Sequence, residues 1–146
     1  MACTPTDAGV LAASKGTAVS VATSQFTDNY AASFGGAISL DGASLAVKTS
    51  QFVNNTAGLY GGAIAQTNGA TDAVAIAGST FSGNAAGCQG GTLFFYDLGS
   101  VAVTGSAFDG SFTSLDPTTT TGGRPGVPIE HWRSALRGHD CVFQAA

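Results

Sequence analysis

Few residues in this 146-residue chain could do chemistry, and their spacing limits what that chemistry could be. Asp41, Asn68 and Asp97 stand fifteen or sixteen positions after successive phenylalanines, which predicts a row along one turn edge of a repeated structure. Paired carboxylates can act as the general acid and base of glycoside hydrolysis, or as calcium ligands. Carboxylates two coils apart would be separated by about 10 Å at the spacing of stacked strands. That is too far for a retaining pair and marginal for an inverting one. The middle residue is an amide and no Lys or Arg fills the equivalent slots, so turn formation is the better reading of the row. Ser24, Ser50, Ser79 and Ser106 form a second row, with no His or acid in frame to activate a nucleophile. His131 and His139 both lie near the C-terminus, and His139, Asp140 and Cys141 lack the spacing and the fourth member of a zinc set. The glycine pairs do not form a G-x-G-x-x-G turn after a strand, so no phosphate cradle is expected. No catalytic, cofactor-binding or metal-binding residue is assigned.

Whatever positions these residues is periodic. Phe26, Phe52, Phe81 and Phe108 follow one another at intervals of 26, 29 and 27 residues. Each has one of the four serines two positions before it, and aliphatic residues five and seven before, such as Val47 and Leu45 or Ile76 and Val74. Asn29, Asn55 and Asn84 come three after the first three, and the pairs Gly35-Gly36, Gly61-Gly62 and Gly90-Gly91 come nine and ten after. A period of this length denotes a stacked array in which each unit covers the next. The segment before each Phe alternates apolar and small residues, as in Leu45-Ala46-Val47, and a second alternating run follows each glycine pair, as in Ala37-Ile38-Ser39-Leu40. Period two means strands, and the Gly, Asn, Asp and Ser between them suit turns.

The fold class expected is therefore all-β, a right-handed parallel β-helix of about four coils, with the handedness taken from the family resemblance given below. Equivalent residues should sit above one another. The four Phe would stack inside the tube, each contributing roughly 1.5–3 kcal/mol on burial. Asn29, Asn55 and Asn84 would form an amide ladder at a turn, since a short stem with donors and an acceptor suits a fixed rise. The paired glycines would supply positive φ or a close backbone pass.

Composition sets bounds on the rest. Charged residues make up 10% of the chain and the net charge is −4. Residues 1–116 hold seven Asp against Lys15 and Lys48, and without a basic stripe no nucleic-acid partner is expected. No apolar run approaches the ~20 residues of a membrane span, and no signal peptide is evident. Ala8-Gly9-Val10-Leu11 looks like Gly35-Gly36-Ala37-Ile38 one unit earlier, so Met1 reads as the start of a fragment. Cys3, Cys88 and Cys141 form no disulfide framework, and Cys88 reads as a small buried apolar residue. Thr23, Thr49, Thr80 and Thr104 do not keep one register, which argues against an ice-binding threonine row. Asn54-Asn55-Thr56 is a lone sequon with Asn54 as acceptor.

Phe26-Thr-Asp-Asn29, Phe52-Val-Asn-Asn55 and Phe81-Ser-Gly-Asn84 match an F-x-x-N motif. Gly35-Gly-Ala-Ile38 and Gly61-Gly-Ala-Ile64 match G-G-A-[ILV], with Gly90-Gly-Thr-Leu93 a variant. Over residues 8–112 the chain resembles the repeats of chlamydial polymorphic outer membrane proteins. The resemblance implies a right-handed parallel β-helix of the pectin-lyase-like type, a cell-surface or extracellular location, and adhesion. The fourth unit departs from the pattern: Ser111 replaces Asn, and Leu115-Asp116-Pro117 stands where a glycine pair would fall.

Two segments follow from this pattern, residues 1–116 as β-helix repeats and residues 117–146 as a linker with a possible cap. After Pro128, the residues Ile129, Trp132 and Leu136 share one face of a short helix that Gly138 would stop. That face would cap the open end of the solenoid or dock on a partner. The functional expectation is a non-enzymatic surface or secreted structural and adhesive module. The alternatives are a carbohydrate-binding or carbohydrate-cleaving β-helix, and a scaffold subunit of a larger assembly. The partner would accordingly be a protein or a glycan.

Overall fold

Period-two alternation broken by turn residues leaves each strand too short to bury an apolar face alone, so it must pair with its own equivalent one repeat later. The computed structural model describes residues 9–88, 90–96, 98–109 and 112–113, and it shows this pairing throughout. The first coil holds β1 (Leu11–Ser14), β2 (Ala18–Ala22), β3 (Gln25–Thr27) and β4 (Tyr30–Ala31). The second holds β5 (Ile38–Asp41), β6 (Ser44–Lys48), β7 (Gln51–Val53) and β8 (Thr56–Ala57). The third holds β9 (Ile64–Thr67), β10 (Gly69–Ala77), β11 (Thr80–Ser82) and β12 (Ala85–Ala86). The fourth holds β13 (Leu93–Phe95), β14 (Leu98–Thr104), β15 (Ala107–Asp109) and β16 (Phe112–Thr113).

Four four-stranded sheets result, in the orders β1-β5-β9-β13, β2-β6-β10-β14, β3-β7-β11-β15 and β4-β8-β12-β16. Every strand pair is parallel. The protein is a parallel β-solenoid of about three turns from Leu11 to Leu93, with β13–β16 laid on top as a fourth rung, and no helix occurs among the described residues. None of them forms a helix long and apolar enough to cross a membrane. The Ile129, Trp132 and Leu136 face lies outside the described residues, as do Cys3, Cys141, His131 and His139.

The core is a set of columns running along the solenoid. Leu11, Ile38, Ile64 and Leu93 stand in one register; Val21, Val47, Ile76 and Val103 stand in another. Ile38, Ile64, Leu93, Val47 and Ile76 are buried. The corners absorb differences in repeat length. Between Asp41↔Thr67 and Leu45↔Val74 the third coil gains three residues, and β10 then shifts register against β14 between Gly69 and Ala73. Because the extra residues bulge at this corner, the Phe columns stay aligned.

Corners also demand left-handed backbone. Thr23 and Thr49 take φ of 48° each, at the position where the next two coils carry Gly78 and Gly105 at 56° and 54°. For a β-branched residue this is a strained conformation, and glycine in the later coils removes the strain.

Candidate functional site

The sequence-derived residues fall into columns along the solenoid. Phe26, Phe52, Phe81 and Phe108 are register partners on β3, β7, β11 and β15. Their ring centroids are 4.8, 4.8 and 4.5 Å apart and their planes within 6°, 7° and 4° of parallel. Phe52 and Phe81 are buried, whereas Phe26 in the first coil is half-buried. In-register parallel strands impose the inter-strand spacing on the rings and leave offset stacking as the close-packed arrangement.

The two polar columns flank this stack and are directional. Each serine Oγ donates to the carbonyl two residues back: Ser24 to Ala22, Ser50 to Lys48, Ser79 to Ala77 and Ser106 to Thr104. Ser50, Ser79 and Ser106 also accept from the backbone N–H of the serine one coil earlier, so that Ser24 N–H reaches Ser50 Oγ at 3.2 Å, Ser50 N–H reaches Ser79 Oγ at 3.1 Å and Ser79 N–H reaches Ser106 Oγ at 3.1 Å. The asparagines follow the same direction. Asn29 gives both its backbone N–H (3.2 Å) and its Nδ2 (2.7 Å) to Asn55 Oδ1, and Asn55 gives both to Asn84 Oδ1 at 3.0 and 2.9 Å. The other Nδ2 hydrogen points backwards, from Asn55 to the Phe26 carbonyl and from Asn84 to the Phe52 carbonyl, each at 3.0 Å. Asn55 and Asn84 are fully buried, and these bonds satisfy the amides in a place where an unmet group would be costly.

The glycine pairs divide two tasks between them. Gly35, Gly61 and Gly90 take φ of 57°, 64° and 63°. Their successors pass close to the neighbouring coil: a Cβ on Gly36 would overlap the Gly62 carbonyl, and one on Gly62 the Gly91 carbonyl.

On the outer face, Asp41 and Asn68 of the expected row do not share a register position. Asp41 is the register partner of Thr67, one position before Asn68. Asn68 Nδ2 reaches back to Asp41 Oδ1 at 2.7 Å, as a corner hydrogen bond. The reason is the one-residue offset between fifteen and sixteen positions after the Phe, which the paired strands do not close up. Asp97 lies outside the described residues. Cys88 is half-buried rather than buried, its backbone N–H held by the Leu59 carbonyl at 2.8 Å. Among the described residues no group of three His, Cys, Asp or Glu could hold a metal ion.

Two features escape sequence reasoning. The first is a second aromatic column, outside the tube: Phe34 and Tyr60 bridge adjacent coils with ring centroids 5.2 Å apart, and Tyr60 meets Phe94 at 4.7 Å. Phe94 alternates with the inward Leu93 and Phe95 yet is buried, because the glycine turn at Gly90 folds back against it. Tyr96, two residues on, is 51% exposed. Its sequence signal was weak, since Phe34 and Tyr60 sit one residue before their glycine pairs but position 89 is Gln. The second is Gln66, which points into the core in the column of Leu40 and Phe95. It is fully buried, and neither Oε1 nor Nε2 has a hydrogen-bond partner. Its signal was legible: Gln stands two residues after Ile64, where the neighbouring coils carry Leu and Phe.

The segment from Thr23 to Asp41 contains the serine, the ring, the amide, the glycine pair and the inner strand β5 in order. Residues 23–41 match the Chlamydia polymorphic membrane protein repeat family. The matched stretch is shorter than a full turn: it runs from the left-handed corner at Thr23 through β3 and β4 of the first coil to the end of β5 in the second. The same frame returns at Ser50-Gln-Phe52-Val-Asn-Asn55 and Ser79-Thr-Phe81-Ser-Gly-Asn84 in the next two coils. No curated protein and no solved structure matches the chain.

Proposed function

We propose that the chain is a non-enzymatic, structural and adhesive β-solenoid module of a surface or secreted protein. One observation carries this reading: each repeated polar or aromatic side chain is engaged by its own equivalent in the next coil, Ser to Ser, Asn to Asn and Phe to Phe. Residues engaged in this way build a rod and do not converge on a substrate. The polymorphic membrane protein repeat at 23–41 supports a surface location, since that family is named for membrane proteins. The ladder residues serve the fold, and the segments 1–116 and 117–146 are a rod and its C-terminal appendage. Antibodies raised against the chain should label intact source cells without permeabilisation, and beads coated with it should adhere to a host or abiotic surface. Labelling only after lysis refutes the surface assignment.

A second reading has one specific observation in its favour. Exposed Tyr96 lies on the same outer face as Thr67 and the Asp41–Asn68 pair, and an aromatic plane beside polar groups suits a sugar ring. Glycan arrays and polyuronate digestion test it. Retention of a defined glycan, lost in Tyr96→Ala, supports binding, and release of unsaturated products overturns the non-enzymatic assignment.

A further inference from the structure

The chain holds a single Asn-Gly step, Asn68-Gly69, and it sits unlike every other described asparagine. Asn29, Asn55 and Asn84 each commit Nδ2 to the ladder, to Asn55 Oδ1, Asn84 Oδ1 and the Phe52 carbonyl, and Asn55 and Asn84 are buried. Asn54 is exposed, but the backbone nitrogen that follows it belongs to Asn55. That nitrogen is committed to Asn84 Oδ1 at 3.0 Å and its residue carries a side chain. Asn68 stands exposed at a corner, with φ of 55°. Its side chain has one hydrogen bond among the described residues, from Nδ2 to Asp41 Oδ1 at 2.7 Å. The residue after it has no Cβ to hinder approach and the widest choice of backbone conformation. The stretch from Gly69 to Ala73 is also where β10 slips register and the third coil takes up its extra residues. The most reactive pair in the sequence therefore lies at the least regular corner.

We infer that Asn68 is a site of spontaneous covalent modification, deamidating through a cyclic imide with Gly69 to aspartate or isoaspartate. Asparagine is among the thermolabile residues, and here its neighbour supplies the nucleophile. The Gly69 backbone nitrogen attacks Asn68 Cγ. A new C–N bond forms, the Cγ–Nδ2 bond breaks, and Nδ2 leaves as ammonia with the Gly69 proton. Water then opens the imide at either carbonyl. Opening at Cγ gives aspartate. Opening at the backbone carbonyl leaves the main chain running through Cγ, which lengthens it at the corner between β9 and β10. Nothing is oxidised or reduced, and water is the only co-reactant. Either product carries a carboxylate in place of the amide. Asp41 then faces a like charge where it had accepted a hydrogen bond, and like charges so close disfavour one another. The modification therefore removes the side-chain tie between the second and third coils at this corner, and it adds negative charge to the outer face.

Ageing the full chain for several weeks in warm, mildly alkaline buffer, followed by peptide mapping with mass spectrometry, tests this. An acidic isoform is expected, with the mass gain of an amide-to-acid exchange on the peptide that holds Asn68 and isoaspartate at the same position. Asn54 and the ladder asparagines are controls within the same molecule and should stay intact. Gly69→Ala should slow the reaction at least about tenfold, because a Cβ hinders closure of the imide. If that variant fails to fold by circular dichroism, the ranking of Asn68 against Asn54 in the unaltered chain decides alone. The proposal is overturned by an unchanged Asn68 at the end of ageing, by earlier mass gain at Asn54 or a ladder asparagine, or by a folded Gly69→Ala variant that reacts at the parent rate. Isoaspartate found only at Asp41-Gly42, with no gain in mass, overturns it as well.

Discussion

The two aromatic columns differ in how tightly their backbone holds them. Inside, the rings of Phe26, Phe52, Phe81 and Phe108 are tilted by no more than 7°. Outside, Phe34, Tyr60 and Phe94 lie at similar centroid distances but are tilted by 26° and 32°. The inner rings are carried by three-residue strands in strict register, so each inherits the orientation of the one below. The outer rings come from an irregular turn and, in the fourth coil, from the outward face of β13, so contact persists without repetition of angle. The same spacing thus gives a determined core inside the tube and an adaptable surface outside it.

Substitutions separate the two. Phe52→Ala should have the largest effect, a loss of about 3–5 kcal/mol in urea unfolding, because it removes a fully buried ring with partners on both faces. A loss below that of Tyr60→Ala would reverse the ranking of the columns. Asn55→Ala should cost about 1–3 kcal/mol, since it strips the acceptor from Asn29 and the donor from the Phe26 carbonyl; an unchanged midpoint would mean that the amide ladder carries no weight. Gln66→Leu should move the other way and raise stability by about 1–2 kcal/mol, because an apolar group replaces two unpartnered buried polar atoms. Destabilisation there would show that Gln66 has a partner in solution. Tyr60→Ala should be the mildest, about 1 kcal/mol for loss of exposed-side aromatic contacts, with the circular dichroism of the sheets unchanged.

Legibility followed the same division. The inner columns could be read because in-register stacking requires the same residue type at the same frame position, as Phe26, Phe52 and Phe81 show. The outer column could not, because Tyr60 touches Phe94 across a turn whose path no frame position encodes. The Asp41 and Asn68 pair shows the limit at finer scale. Both were visible as corner residues, but a one-residue offset became a diagonal hydrogen bond rather than a row. The glycine pairs were visible as special backbone, whereas the division of labour between Gly61 and Gly62 was not.

The sequence by itself determined that the chain stacks parallel coils, which side chains share a column and where a coil repeats, because periodicity is a one-dimensional property. Only the tertiary structure decided the direction of the Ser and Asn columns and left the buried Gln66 amide without a partner. Hydrogen-bond direction and burial depend on which neighbour lies above and below each residue, and that is known only once the coils are laid on one another.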